Sequence, residues 1–240
     1  MGECLGGYGV MGVFAGPEVV EDGLVLALDA GNPKSYPGSG TTWTDLSGNS
    51  NNGTLVNGVT FNTDGGGSLT LDGTDDYVVL GTTGVCPPEI TISMWIKFPT
   101  LEASYFYVNE NSLSNPELRL STNSGYIKYI LYDSGTYFFN ENGTIPVYTH
   151  TWYNLVLTIR DSYVKSYLNL QEDIYRTGFV YNGNITQNAS NHILGTQFLG
   201  SYGYSGYSNV VYSNTSIYNK ALTASEIQQN FNATRSRFGI

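Results

Sequence analysis

Between Leu24 and Tyr218 the apolar residues recur mainly at every second position. In ITISMWIKF (90–98), Ile90, Ile92, Met94, Ile96 and Phe98 fall on one side and Trp95 on the other, the period-2 pattern of a strand with one buried face. Similar alternation or a short apolar run marks LVLALD (24–29), SLTLD (68–72), DYVVL (76–80), SYFYV (104–108) and ELRLS (117–121). It continues through YIKYILY (126–132), TWYNLVLTIR (151–160), YVKSYLNL (163–170), HILGT (192–196) and SNVVYSNTSIYN (208–219). Turn formers such as Asp72-Gly73 and Asn142-Gly143 separate the runs. Strands that follow one another with no helical periodicity between them predict an all-β chain of antiparallel sheets stacked as a sandwich.

Two segments depart from this pattern. Residues 31–67 carry many turn formers and little strand signal, which predicts a long loop packed by its own side chains, with Trp43 and Leu46 as pegs. Within SIYNKALTASEIQQNF (216–231) a short helix follows the end of the last strand. Thr223 and Glu226 have the spacing of a capping box, and Leu222 and Ile227 that of a hydrophobic staple. Ile227 and Phe231 lie one turn apart and can bury together, so the helix is expected to latch the end of the sandwich.

At 240 residues the chain can bury a sizeable core, and an all-β sandwich of this length is commonly one domain. The expected division is a Gly-rich arm over 1–22 and a single domain over 23–240. The formal net charge of −10 arises from 10 basic against 20 acidic residues. No Lys/Arg stripe is available to neutralise phosphates, so nucleic acid is not an expected partner. The two cysteines, Cys4 and Cys86, form no CxxC or Cys/His pattern, and their pairing is left open. The amino terminus lacks a basic n-region and its apolar residues are broken by Gly, so it does not read as a signal peptide. No run has the length of a membrane span.

Chemistry-bearing motifs are sparse. GYGVMG (7–12) satisfies GxGxxG but precedes a strand and opens no helix, which excludes the dinucleotide reading. His150 and His192 stand in no nucleophile–base motif. Asp29, Asp45, Asn49, Asp72, Asp75 and Asp76 offer the hard oxygen ligands that Ca²⁺ takes, although Asp-Gly and Asp-Leu-Ser-Gly are also ordinary turns in which Asp caps its own backbone. Tyr202, Tyr204 and Tyr207 sit in the Gly/Ser-rich stretch GSYGYSGYS. Aromatic rings in such a loop can contact a glycan or a protein partner, or simply cover the edge of a sheet. Six Asn-x-Ser/Thr triplets, at Asn52, Asn142, Asn184, Asn188, Asn214 and Asn232, are what an Asn- and Thr-rich chain contains by accident.

The phrases DGLVLALDAGNPKSYPGSGTTWTDLSGNSNNGTLVNGVTF, GGSLTLDGTDDYVVL, ITISMWIKF, HTWYNLVLTI and IYNKALTASEIQQNF, taken in order, resemble the concanavalin A-like lectin/glucanase superfamily in its laminin-G-like form. The likeness covers about 22–240. It implies an antiparallel jelly-roll sandwich closed by one C-terminal helix, and such domains often hold structural Ca²⁺. Glucanases of the superfamily carry their two carboxylates on one strand in an ExDxxE-like arrangement; that spacing is missing here and ITISMWIKF has no carboxylate, so no enzymatic activity is expected. The family's usual Asn-Gly hairpin turn after YVKSYL appears as Asn169-Leu170, which predicts another turn type.

The NPKSYPGSGTTW phrase and the NFNATRSRFGI ending also resemble domains of tailed-bacteriophage structural proteins. That implies a non-enzymatic virion component, a capsid decoration, head fibre or tail fibre, assembled in the host cytoplasm and displayed on the particle exterior. Its partners would be other virion proteins met through the amino-terminal arm; a homo-oligomer, such as the trimer common among such components, is left open, since the chain shows no heptads to enforce one. The alternative is a lectin or adhesin module that recognises host-surface glycans, with or without Ca²⁺. Fold alone does not choose between them.

Overall fold

In the computed structural model the described residues are 18–81, 89–110, 117–133, 136–160, 162–178, 191–198 and 204–240. Their strands are, in chain order, β1 (Leu24–Asp29), β2 (Thr42–Trp43), β3 (Gly53–Val56), β4 (Thr60–Asn62), β5 (Ser68–Asp72) and β6 (Tyr77–Leu80). Next come β7 (Glu89–Lys97), β8 (Tyr105–Glu110), β9 (Glu117–Asn123), β10 (Tyr126–Asp133), β11 (Thr136–Pro146) and β12 (Trp152–Arg160). The last are β13 (Tyr163–Leu168), β14 (Gln171–Thr177), β15 (Asn191–Leu194), β16 (Gln197–Phe198), β17 (Tyr204–Ser205) and β18 (Asn209–Tyr218). One α-helix, α1 (Ala224–Thr234), and a 3-10 turn at Arg235–Phe238 close the chain.

Two antiparallel eight-stranded sheets form the sandwich. The first runs β14-β13-β12-β7-β18-β5-β4, with β1 also paired to β18; the second runs β11-β10-β9-β8-β15-β6-β3-β2. One continuous core lies between them. It takes Ile90, Ile92, Met94 and Ile96 from β7, Leu155 and Leu157 from β12, and Leu118, Leu120, Tyr129 and Leu131 from the facing sheet. The alternation read from ITISMWIKF is therefore the observed one.

Trp95, on the opposite side of β7, is nevertheless buried, because α1 and the 3-10 turn pack over the outer face of the first sheet. The capping box at Thr223 and Glu226 is present, Leu222 and Ile227 bury with Tyr218, and Phe231 buries with Trp95 and Trp152. Phe238 stacks on Trp95 at 3.9 Å between ring centroids, and Arg237 anchors the last turn through both carboxylate oxygens of Asp29 at 2.9 and 2.8 Å. Trp95 Nε1 donates to Thr234 Oγ1 at 2.8 Å, which fixes the indole against the helix end.

The structure corrects four expectations. Residues 31–67 contain β2, β3, β4 and a 3-10 turn rather than one long loop. Their strands are only two to four residues long, too short for alternation to register. Trp43 is fully buried as a peg, but Leu46 is exposed. Asn142-Gly143 is not a turn; it lies inside β11, where a Cβ on Gly143 would overlap the Asp173 carboxylate, so the glycine serves a close approach of side chain to backbone. Asn169 and Leu170 have φ of 48° and 68°, the pair of positive angles of the type I′ turn that Asn-Gly itself would make. Leu170 tolerates the left-handed conformation because its side chain packs against the Val156–Tyr218 and Trp95–Phe231 clusters.

Among the described residues no helix is long and apolar enough to cross a membrane. GYGVMG, Cys4, Cys86 and most of the amino-terminal arm lie outside the described residues.

Candidate functional site

One rim of the sandwich brings two separate sequence candidates together. The turn between β5 and β6 carries Asp72, Asp75 and Asp76, and each offers a carboxylate oxygen within 4.8 Å of the others. The Asp-Gly phrase folds this turn as its residue types predict. Asp72 Oδ1 accepts from Thr74 N at 2.7 Å, and Gly73 takes φ of 79°. Asp76 is buried and holds two backbone amides, Gly58 N at 2.6 Å and Asp72 N at 3.2 Å, so it ties the β3–β4 connection to the turn. Asp72 and Asp75 remain exposed. Backbone N–H groups of the turn, Thr74 foremost, hold the Asp72 carboxyl below its ordinary pKa, so it is ionised near neutral pH.

Tyr207 reaches the same rim from the other end of the chain. β15 pairs with β6, and the backbone after it is pinned where Ser208 N donates to Gly195 O at 2.8 Å. Tyr207 lies half-buried with its ring tilted against Tyr77 at 6.3 Å. Partial burial, then Tyr77 and the charge of Asp75, push the Tyr207 phenol above its ordinary pKa, so it stays a neutral hydroxyl that can donate. Asn57 Nδ2 donates to the Asp75 carbonyl and completes the cluster. Tyr77 and Asn57 were not singled out from the sequence; only spatial adjacency identifies them. Tyr202 lies outside the described residues, as does the side chain of Tyr204, whose backbone pairs in the β16–β17 hairpin.

The other three oxygen-bearing candidates lie elsewhere and are engaged by the protein. Asp29 faces Arg237 and accepts from Gly31 N at 2.9 Å. Asp45, 8% exposed, accepts from Ala27 N, Ser47 N and Asn51 N, all within 2.9 Å, so it clamps the 45–51 loop onto β1. The Asn49 carboxamide donates to Leu24 O at 3.2 Å and to Ser47 Oγ at 3.0 Å. Of the six, Asp72, Asp75 and Asp76 are the ones whose carboxylate oxygens lie together, so they are the group that could hold a metal ion, with both Asp76 oxygens also accepting backbone amides.

His150 is exposed with φ of 59°, and its N–H donates to Phe98 O at 2.9 Å. It is a turn residue. His192 is buried between the Tyr107 hydroxyl, 2.6 Å from Nδ1, and the Asn109 amide, 2.9 Å from Nε2. Desolvation holds its pKa down to about 4, so it is a neutral core hydrogen-bonding group.

Residues 72–228 match the family described as the concanavalin A-like lectin/glucanases superfamily. Among solved structures, the chain is similar to the receptor binding domain of botulinum neurotoxin C/D mosaic serotype, with a TM-score of 0.66 and 16% identity over 89% of this chain and 51% of that one. It is similar to domain 4 of AbnA, an extracellular arabinanase from Geobacillus stearothermophilus, in complex with arabinotriose, with a TM-score of 0.66 and 18% identity over 88% of this chain and 98% of that one. Trypanosoma rangeli sialidase in complex with sialic acid gives 0.66 and 17% over 89% of this chain and 33% of that one. The chain thus spans about half the length of the toxin domains it matches. No curated protein matches in sequence. At these identities the likeness to solved structures is one of fold.

Proposed function

The chain belongs to the concanavalin A-like lectin/glucanases superfamily, and from that premise we propose that it is a non-catalytic carbohydrate-binding domain whose contact surface is the Asp72–Tyr77/Tyr207 rim. The observation that carries this reading is the meeting of Tyr77 and Tyr207 with three carboxylates at one edge. Aromatic faces suit the apolar face of a pyranose, and carboxylate oxygens suit its hydroxyls, directly or through Ca²⁺. Asp72, Asp75 and Asp76 would hold the Ca²⁺ ion, which would supply charge neutralisation and a contact for sugar hydroxyls. Two fold neighbours, complexes with arabinotriose and with sialic acid, support a carbohydrate as the ligand class.

A hydrolytic role is not favoured by the carboxylates. A glycosidase needs one acid with a raised pKa beside an ionised partner. Among the described residues, the carboxyls of Asp64, Asp72 and Glu226 are lowered, each with a hydrogen bond as the largest cause. Display on a bacteriophage particle is the setting we propose, supported by the NPKSYPGSGTTW and NFNATRSRFGI phrases; there the domain would meet other virion proteins through its arm and is proposed to form a trimer. Mass spectrometry of purified particles tests that setting, and absence of the chain from them excludes it.

The binding reading is tested on a glycan array with and without a chelator. Reproducible glycan binding, lost for Tyr207→Ala and weakened for Asp75→Asn, is the expected result. No binding, or binding indifferent to both substitutions, removes the rim from the account.

A further inference from the structure

A groove of about 560 Å³ crosses the outer face of the first sheet, between α1, β1 and the 46–47 segment. Strand register sets its floor: Asn154 on β12 and Asn214 on β18 flank Trp95 of β7, and Ser216 flanks Ser93. Asn214 and Ser216 are half-buried, so the floor is an open, neutral polar surface.

The walls are apolar. Of the three exposed large aliphatic side chains among the described residues, Val19, Leu46 and Ile240, the first two line this groove. Exposed apolar residues gathered along a groove mark a contact surface. Among the described residues no Lys or Arg lines it; Asp29, at its edge, is paired to Arg237 at 2.8 Å, and Glu21 is exposed. An uncharged peptide segment fits this chemistry. It offers apolar side chains to the walls, and backbone N–H and C=O groups to the hydroxyls and carboxamides of the floor.

The chain's own amino-terminal arm is rooted at this groove. Gln229 Nε2 donates to Glu18 O at 2.7 Å and Val20 N donates to Asn230 Oδ1 at 2.7 Å, which pins residues 18–20 along α1. Val19 and Glu21 line the groove, while Val20 between them buries with Tyr218, Leu222 and Ile227. That is the alternation of an extended segment. Val20 lies by Ile227 and Glu18 by Gln229, so toward lower residue numbers the chain runs along α1 in the direction of Thr234, another residue of the wall. Immediately before this point comes VMGVFAGP (10–17), which carries no charge and continues the odd positions with Met11, Val13, Ala15 and Pro17.

We propose that this groove is the docking site of the chain's own residues 10–17, with Val13 and Ala15 set against Ala27 and Leu46. A tether rooted at Glu18 presents the segment at an effective concentration of about millimolar, which favours the chain's own arm over that of a second copy. The docked arm keeps its apolar residues from water, so any partner of the arm competes with the groove. The docking stands whether or not the rim binds carbohydrate.

The test is methyl-resolved NOE spectroscopy of the full chain in two samples, one uniformly labelled and one mixing labelled with unlabelled chains, so that contacts between copies are read separately. Cross-peaks within one chain from the methyls of Val13 and Ala15 to those of Ala27 and Leu46 are the expected result. Leu46→Asp places a charge on the apolar wall and should abolish the cross-peak between Val13 and Ala27. Val19→Asp carries the same comparison where Leu46→Asp fails to fold. The proposal is overturned if those cross-peaks are absent, if they arise only between copies, or if the one between Val13 and Ala27 survives both substitutions undiminished.

Discussion

Single side chains set the pH behaviour and the sandwich edge. His192 is neutral in the folded chain with a pKa held down to about 4 by burial, against an ordinary value of 6.5. Between those values the unfolded chain binds a proton that the folded chain refuses. Stability therefore falls as pH drops from about 6.5 toward 4, by up to about 3 kcal/mol from this residue. Urea midpoints at pH 7, 5.5 and 4.5 should show that loss, and His192→Gln should flatten this part of the profile even where it lowers stability at neutral pH. Asp173 plays a different part: its carboxylate accepts from Thr144 N at 2.6 Å, Ile145 N at 2.7 Å and the Tyr129 hydroxyl at 2.7 Å, tying β14 of one sheet to β11 of the other. Gly143→Ala drives a methyl into that carboxylate, and thermal melting should register a loss of about 1–3 kcal/mol. Neither role is legible in the sequence. His192 looks like any histidine in a strand, and Asn142-Gly143 has the residues of a turn; the partners that decide both are 29 to 85 positions away.

At the scale of elements, the closing helix was the most legible part of the chain. Its capping residues, staple and apolar pair are local features, and local features survive translation into structure. Thr223→Ala removes the side-chain acceptor for Glu226 N and is expected to cost about 1 kcal/mol in denaturant unfolding. Phe231→Ala is expected to cost about 3–5 kcal/mol, because the ring is 5% exposed and packs against Trp95 at 5.6 Å. The long strands were legible for the same reason, since nine residues of alternation in β7 leave one reading. The short strands β2, β3 and β4 were not, because their partners supply the hydrogen bonds that define them. The Asn169-Leu170 turn shows tertiary packing overriding a local preference: Leu170 sits at a positive φ that costs a residue with a Cβ roughly 1–2 kcal/mol, and its contacts beneath α1 and the last turn offset that cost.

At the scale of the whole molecule, the sandwich is a rigid platform that gathers residues distant in sequence at its rim. Tyr207 was legible as a candidate and so were Asp72, Asp75 and Asp76, but their convergence follows from β15 lying beside β6 and could be found only in three dimensions. Ca²⁺ added to chelator-treated protein should raise the melting temperature, and Asp75→Asn should diminish the rise. The central claim is that this rim is where carbohydrate binds, and amide chemical-shift mapping with the strongest ligand from the glycan array tests it most directly. Shifts confined to residues 57–58, 72–77 and 204–208 are the predicted result; a bound glycan that leaves those amides unmoved contradicts it.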